Sequence, residues 1–357
     1  MNINGTPVAV PDGSTVLQAV RAAGVDVPTL CTRGERRPLS SCYLCAVHIE
    51  GHGALQPACA ARAEDGQVVT THSDEVQRHR RVTLEMLFSE HAGDCEAPCT
   101  LACPAHVDIP AMLREIQRGD MQGAAAVLTA RIASPESVCG SCSAPCEKAC
   151  RRKSCDEAVA IQDLIAFLVE SGHTGRAAAT ASPAAQKTDV PERGAPVGFN
   201  CSLGRLRGGE KAALLAGASG GPRSTFDTTR TPRCSREDAA AEGKRCLRCD
   251  CRKAATCRLR RAADELNLPH PRNAASRPDV EIVRTDIGIV FEPGKCIQCG
   301  RCIEITETDG EPVGLTWSGR GFSVRISPPP GASWREALQH TADACVKACP
   351  TAALAYE

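Results

Sequence analysis

Twenty-three cysteines stand in a chain of 357 residues, and nearly all of them fall in tight clusters. Cys31, Cys42, Cys45 and Cys59 have the spacing C-x10-C-x2-C-x13-C. Cys296, Cys299 and Cys302 have the spacing C-x2-C-x2-C, answered far downstream by Cys349-Pro350. Thiolates at such spacings bind iron–sulfur clusters, whose usual work is to pass single electrons.

Composition narrows the alternatives. With 2 Trp, 2 Tyr and 6 Phe, the composition argues against large aromatic cores. Domains without big cores need staples, and metal ligation is one kind. Lys plus Arg equals Asp plus Glu at 42 each, which argues against a general nucleic-acid or membrane-surface role. The start MNINGTPVAVPDGS has no basic region followed by an apolar one, and no stretch approaches about 18 apolar residues. This predicts a cytoplasmic protein with no membrane insertion. Cytosolic thiols stay reduced, and an odd cysteine count fits a disulfide framework poorly. Zinc is the competing chemistry, because Cys-x2-Cys pairs bind it as a tetrahedral ion. Zinc sites usually join two close pairs, whereas triplets, a Cys-Pro and a loop with a ten-residue gap dominate this chain.

Residues 1–75 read as a first domain. Val8–Val10 predicts a strand, Pro11-Asp12-Gly13 a turn, and Ser14 an N-cap for a helix through Val16, Leu17, Val20 and Ala23. Ala46–Ile49 and Val68–Thr70 predict further strands. A small sheet crossed by one helix fits a β-grasp ferredoxin domain. The loop from Cys31 to Cys45, with Gly34 and Pro38, has few apolar residues and can wrap a cluster with its N–H groups turned to sulfur. The spacing resembles the [2Fe-2S] domain at the start of the large iron–sulfur subunit of complex I and of related hydrogenase subunits.

Residues 76–172 read as a helical domain. Leu84, Leu87, Phe88 and His91 form one face of a helix over Glu75–His91. A histidine there is either a packed core residue or, with Cys95 four positions on, an iron ligand of the kind the complex I pattern implies. CEAPCTLACPAHVDIP, CGSCSAPCEKAC and DEAVAIQDLIAFL resemble the N-terminal domain of the glutamate synthase small subunit and a similar domain of dihydropyrimidine dehydrogenase. That resemblance implies a helical fold with two [4Fe-4S] clusters. One would use Cys95, Cys99 and Cys150 with His91, and the other Cys103, Cys142 and Cys146. The family's last ligand, a Gln or Glu, falls on Ile165, which cannot ligate; Cys139, Cys155 and Gln162 are the substitutes. Independently of the resemblance, Asp108 predicts an N-cap and Gly119 a stop for one helix. Two more helices are expected over Met121–Ile132 and Glu157–Val169.

Residues 173–240 read as a linker or docking segment, with an Ala, Thr, Ser and Pro-rich stretch over Thr174–Gly198 and a short helix within Leu203–Ala216. Some 70 residues are too few for the flavin and pyridine-nucleotide lobes that follow in the glutamate synthase family. Gly217–Gly221 lacks the strand and helix of a dinucleotide fingerprint and reads as a loop. Cys201 and Cys234 stand alone and read as free thiols. In residues 241–357, Cys246, Cys249, Cys251 and Cys257 are compact enough to surround one cube. Lys244–Arg261 carries eight basic residues and one acid, read either as a solvated face or as compensation for cluster charge. Ile282-Val283 and Ile287–Val290 suggest strands before Cys296. Cys296, Cys299, Cys302 and Cys349 resemble a bacterial ferredoxin, whose cysteine before proline completes the cluster of the distant triplet. Cys345 is either a relic of a second such motif or a ligand for the Cys246–Cys257 group.

The expectation is a multidomain α+β protein with one [2Fe-2S] and up to four [4Fe-4S] clusters. It would relay electrons inside a larger oxidoreductase complex of hydrogenase, formate dehydrogenase or NAD(P)H-linked type. Its partners would be catalytic or flavin-containing subunits, or a soluble ferredoxin, and no nucleic acid. A glutamate-synthase-like oxidoreductase using a flavin partner and a zinc-stapled scaffold are the alternatives. No catalytic constellation, Walker loop or dinucleotide fingerprint stands outside the cysteines.

Overall fold

The first strands are set by a turn. Asn4 and Gly5 take φ of 51° and 88°, the positive pair that a tight two-residue hairpin requires. They join β1 (Asn2–Ile3) to β2 (Thr6–Pro7), and Val8 N–H closes the hairpin on the Met1 carbonyl at 3.0 Å. The strand expected over Val8–Val10 therefore forms earlier, because the Asn-Gly turn fixes the register. The computed structural model describes residues 1–32, 38–174, 198–269 and 277–357. They form two compact units: Met1–Ala92, Arg193–Asn200 and Arg252–Glu357 in one, Gly93–Glu192 and Cys201–Cys251 in the other.

In the first unit, α1 (Val16–Ala22) lies over a five-stranded sheet completed by β3 (Ala46–Ile49), β4 (Gln56–Pro57) and β5 (Val68–Thr70). The strand order is β2-β1-β5-β3-β4, with β1 parallel to β5 and β3 antiparallel to it. Thr15, not Ser14, caps α1, through a reciprocal box with Gln18 at 3.3 and 2.7 Å. Ser14 instead turns its hydroxyl back to the Pro11 carbonyl. Ile3, Leu17, Val20, Val47 and Val69 make the core, and Cys45 and Cys59 are packed into it. α2 (Asp74–Ser89) follows, capped by Ser73, and buries Val76, Arg80, Leu84 and Phe88.

The second unit is helical: α3 (Pro98–Ala102), α4 (Ile109–Arg118), α5 (Met121–Thr129), α6 (Pro135–Gly140), α7 (Pro145–Lys148), α8 (Ile161–Glu170), α9 (Gly208–Leu215) and α10 (Arg236–Gly243). Asp108 caps α4 by accepting from Ala111 N–H at 3.0 Å, and Gly119 ends it at φ 79°. Ile109, Met112, Leu113 and Ile116 face Leu128, Leu164 and Phe167 in one core. α3, α6 and α7 are short, and each starts at a proline and carries a cysteine. From Cys201 onward, the segment expected to be a linker packs within this unit. The stretch over 175–197 lies outside the described residues.

The rest of the first unit comprises α11 (Arg258–Glu265), β6 (Val283–Arg284), β7 (Ile289–Phe291), α12 (Arg301–Thr308), β8 (Thr316–Ser318), β9 (Arg325–Ser327), α13 (Trp334–Ala337), α14 (Ala342–Ala348) and β10 (Leu354–Tyr356). β10, β7 and β6 pair antiparallel, and Ile289, Phe291, Ile303, Val346 and Leu354 fill the core beneath. No described helix is long and apolar enough to cross a membrane.

Candidate metal centres

Cys31, Cys42, Cys45 and Cys59 are all buried, and their thiols form a chain of contacts, Cys42 to Cys31, Cys31 to Cys59 and Cys59 to Cys45. Donation from Cys42 and Cys59 pulls the Cys31 thiol down, and donation from Cys59 pulls Cys45 down. Cys42 and Cys59 are pushed up in return. Ser40 Oγ lies 3.3 Å from the Cys59 sulfur. The loop is held from below by α2. Buried Arg80 donates from Nε to the Leu44 carbonyl and from Nη2 to the Ala46 carbonyl, both at 3.1 Å. Residues 33–37, including Gly34, lie outside the described residues.

Cys296, Cys299, Cys302 and Cys349 line one cavity. Burial pushes Cys296 up to about 11 and Cys299 up to about 12, with the Cys349 charge adding to both. Lys253 Nζ fixes the end of α14, donating to the carbonyls of Val346 and Cys349 at 2.7 Å each. Cys345 does not line this cavity. Its thiol is 3.6 Å from the Cys302 carbonyl, and burial pushes it up to about 12, as for a packed core thiol.

In the helical unit, Cys103, Cys139, Cys142 and Cys146 are neighbours. Burial raises Cys139, and the charges of Cys103 and Cys142 raise it further. The same two charges act on Cys146, which burial pushes up to about 12. Gln162 Nε2 donates to the carbonyls of Cys142 at 2.6 Å and Cys139 at 3.3 Å, so it shapes the loop rather than facing its sulfurs. Ile165 is in the core. Cys155 ends a 3-10 turn, 3.9 Å from Ser154 Oγ.

Cys99 and Cys150 line a cavity of this unit together with Cys246 and Cys249. Cys95 stands instead with Cys201, sulfur to sulfur at 3.2 Å, and Cys251 N–H donates to the Cys95 carbonyl at 3.2 Å. Cys201 is therefore not the isolated thiol its sequence position suggests; its sequence neighbours carry no ligand signal. Asp94 brings it there: the carboxylate is bonded to Arg151 and accepts from Ser202 Oγ and Leu203 N–H at 3.0 and 2.8 Å. Cys234 is a core thiol that burial pushes up to about 11. Cys257, in the other unit, caps α11 and accepts from Arg260 N–H at 3.4 Å.

His91 packs edge-on against Phe88, with ring centroids 5.7 Å apart. Its Nδ1 is buried with no hydrogen-bond partner among the described residues. Burial, with Lys295 assisting, pulls the imidazole down to about 3 and keeps it neutral, the form that binds metal. An unpartnered buried nitrogen is costly for a residue that only packs.

The basic run is mostly consumed by the fold. Arg245 is buried against Glu242 and Asp156, Arg252 pairs with Glu292, and Arg260 donates to the Phe199 carbonyl. Only Lys244 and Arg261 of the eight are exposed. A simple solvated face does not describe it.

Iron–sulfur clusters fit these donors. Among the described residues no trio of His, Cys, Asp or Glu is spaced to hold a single metal ion. Soft thiolate donors gathered in fours from separated segments suit such clusters.

Comparison with known proteins agrees with this chemistry. Residues 1–74 match the 2Fe-2S iron-sulfur cluster binding domain, and residues 73–176 match dihydropyrimidine dehydrogenase domain II, 4Fe-4S cluster. The NADP-reducing hydrogenase subunit HndD of Solidesulfovibrio fructosivorans is 39% identical over 100 residues, 27% of this chain and 17% of that protein. An NADH-quinone oxidoreductase subunit of Rhizobium meliloti (strain 1021) is 42% identical over 95 residues, 27% of this chain and 11% of that protein. The chain thus spans less than a fifth of the length of these relatives. A chain of the NAD+-reducing [NiFe]-hydrogenase in the H2-reduced state shares the fold with a TM-score of 0.51 at 16% identity, over 100% of this chain and 86% of that one. Residues 1–176 of this chain are therefore a 2Fe-2S domain followed by a 4Fe-4S domain.

Proposed function

We propose that this chain is an electron-transfer subunit that relays single electrons within a larger oxidoreductase complex. The observation that carries the reading is the gathering of buried and half-buried cysteines from separated segments into distinct groups. Cys31, Cys42, Cys45 and Cys59 would hold a [2Fe-2S] cluster in a β-grasp domain. Cys296, Cys299, Cys302 and Cys349 would hold a [4Fe-4S] cluster in a bacterial-ferredoxin-like domain. Cys103, Cys139, Cys142 and Cys146 would hold another, and Cys95, Cys201 and Cys251 belong to a further one. His91 and Cys257 are proposed as additional iron ligands.

The clusters, when bound, supply the one-electron chemistry. The protein's part is to bury the sulfurs, aim N–H and O–H donors at them, and offset their negative charge with arginines such as Arg80. Partners follow from the relatives, which are hydrogenase and NADH-quinone oxidoreductase subunits. A catalytic subunit, NAD(P)-linked or flavin-containing, would stand at one end of the relay and a second carrier such as ferredoxin at the other, in the cytoplasm.

The test is anaerobic purification followed by stepwise reduction with dithionite and reoxidation with a one-electron acceptor. Reversible bleaching of the visible absorbance without bound flavin supports the relay. Stoichiometric FAD would favour a flavin-dependent enzyme, and a colourless zinc protein would favour a scaffold.

A further inference from the structure

We propose that Cys99, Cys150, Cys246 and Cys249 together ligate one [4Fe-4S] cluster. Two of its ligands then come from a loop that lies beyond the stretch matched to the 4Fe-4S domain. The inference rests on the relay reading and assigns one of its centres.

The first support is the cavity. All four cysteines line it, and its other walls include Pro98, Pro110, Leu113, Val159 and Ile161, an apolar lining of the kind that shields a cluster from water. The thiols also sense one another. After burial, the charges raising Cys99 are those of Cys246, Cys150 and Cys249.

The second support is a backbone parallel inside the same chain. In Cys246-Leu-Arg-Cys249 the third residue, Arg248, takes φ 50°, and its N–H points at the Cys246 sulfur at 3.4 Å. In Cys296-Ile-Gln-Cys299 the third residue, Gln298, takes φ 51°, and its N–H favours the charged form of Cys296. Positive φ is uncommon for residues with a Cβ. Both loops accept it at the same place, and in both it turns a donor to the first sulfur. The second loop begins the ferredoxin-like triplet, so the first is shaped for the same cargo.

The third support is the scaffold. Arg152, two residues past Cys150, is buried and donates to the carbonyls of Ser219 and Arg245 at 3.1 and 2.9 Å. Arg245 immediately precedes Cys246 and is locked by Glu242 at 2.8 Å. Glu242 in turn accepts from Ala160 and Ser224 N–H at 2.9 and 2.8 Å. This buried network ties the segment after Cys150 to the segment before Cys246.

The test uses the full chain purified without air, with iron, sulfide and low-temperature EPR of the dithionite-reduced protein. Cys99→Ser and Cys249→Ser should each remove or alter the same EPR component and about four of about 18 iron atoms per chain. The double variant should lose no more than either single one, and Cys155→Ser should lose none. Mass-mapped alkylation of the wild-type chain gives a readout that does not depend on variants folding. The four thiols should be protected together and become reactive together as clusters are stripped by chelator. A full iron complement with an unchanged EPR spectrum in Cys249→Ser, or effects on different components in Cys99→Ser and Cys249→Ser, would overturn this assignment alone. Wild-type protein without iron or sulfide would overturn the relay reading and this assignment with it.

Discussion

Ser41 Oγ donates to the carbonyl of Cys299 at 3.3 Å. The preceding residue, Ser40, meets the Cys59 sulfur at 3.3 Å. Two consecutive residues thus connect a thiol of the proposed N-terminal centre to the backbone of Cys299, a proposed ligand of the C-terminal one. Both centres lie in the same compact unit, and the Cys31 charge is felt at Cys299. These two clusters should interact magnetically. Full reduction should broaden the [2Fe-2S] EPR signal beyond its width in protein where only that cluster is reduced. Identical widths would argue against a short link.

Ser40 and Ser41 should separate in their effects. A hydroxyl donating to a ligand sulfur stabilises the reduced cluster, which carries more negative charge. Ser40→Ala should lower the [2Fe-2S] potential by on the order of tens of millivolts. Ser41→Ala touches no sulfur and should leave that potential in place. Redox titration monitored by EPR reads both.

Arg80 should matter for holding the first cluster more than for tuning it. Arg80→Met would strip the donors from the Leu44 and Ala46 carbonyls at the centre of the binding loop. Leaving a buried acceptor unsatisfied costs about 1–3 kcal/mol. The [2Fe-2S] absorbance should then be lost at lower denaturant while the [4Fe-4S] signals persist. Arg80→Lys should not restore it, because an ammonium cannot reproduce the planar fork.

Gln162 and Cys139 should give different phenotypes although they adjoin the same group. Cys139→Ser changes a proposed ligand and should alter the EPR line shape of one [4Fe-4S] cluster. Gln162→Leu removes donors to the Cys139 and Cys142 carbonyls, and should hasten loss of that cluster in air without changing its line shape. Identical spectra for both variants and wild type would move the fourth ligand elsewhere.

His91→Ala should perturb one [4Fe-4S] signal and spare the [2Fe-2S] signal. An unchanged spectrum would return His91 to the core beside Phe88.

Local features of this chain are legible from sequence because local rules decide them. Asp108 and Gly119 bound α4 through a side-chain cap and a left-handed stop, both nearest-neighbour effects. The Asn4-Gly5 hairpin is equally local, although the apolar run at Val8–Val10 competes with it as a strand signal. Cluster spacing points to iron–sulfur chemistry for the same reason, since the Cys31–Cys59 and Cys296–Cys302 groups close over short loops. What spacing does not encode is which distant cysteine completes a group. Cys246, Cys249 and Cys251 sit within six residues, yet the first two face Cys99 and Cys150 while Cys251 bonds to the backbone of Cys95. That sorting depends on tertiary partners such as Arg152, Arg245 and Asp94. Their buried charges pair with residues up to 109 positions away, and no local pattern marks them.

The central claim is that these thiols hold iron and conduct electrons. Metal and acid-labile sulfide analysis of anaerobically purified protein, with EPR before and after dithionite, tests it most directly. The account predicts about 18 iron atoms per chain, matching sulfide, and signals of one [2Fe-2S] and several [4Fe-4S] centres that appear on reduction. Zinc in place of iron, or a brown protein whose colour and spectrum ignore dithionite, would contradict it.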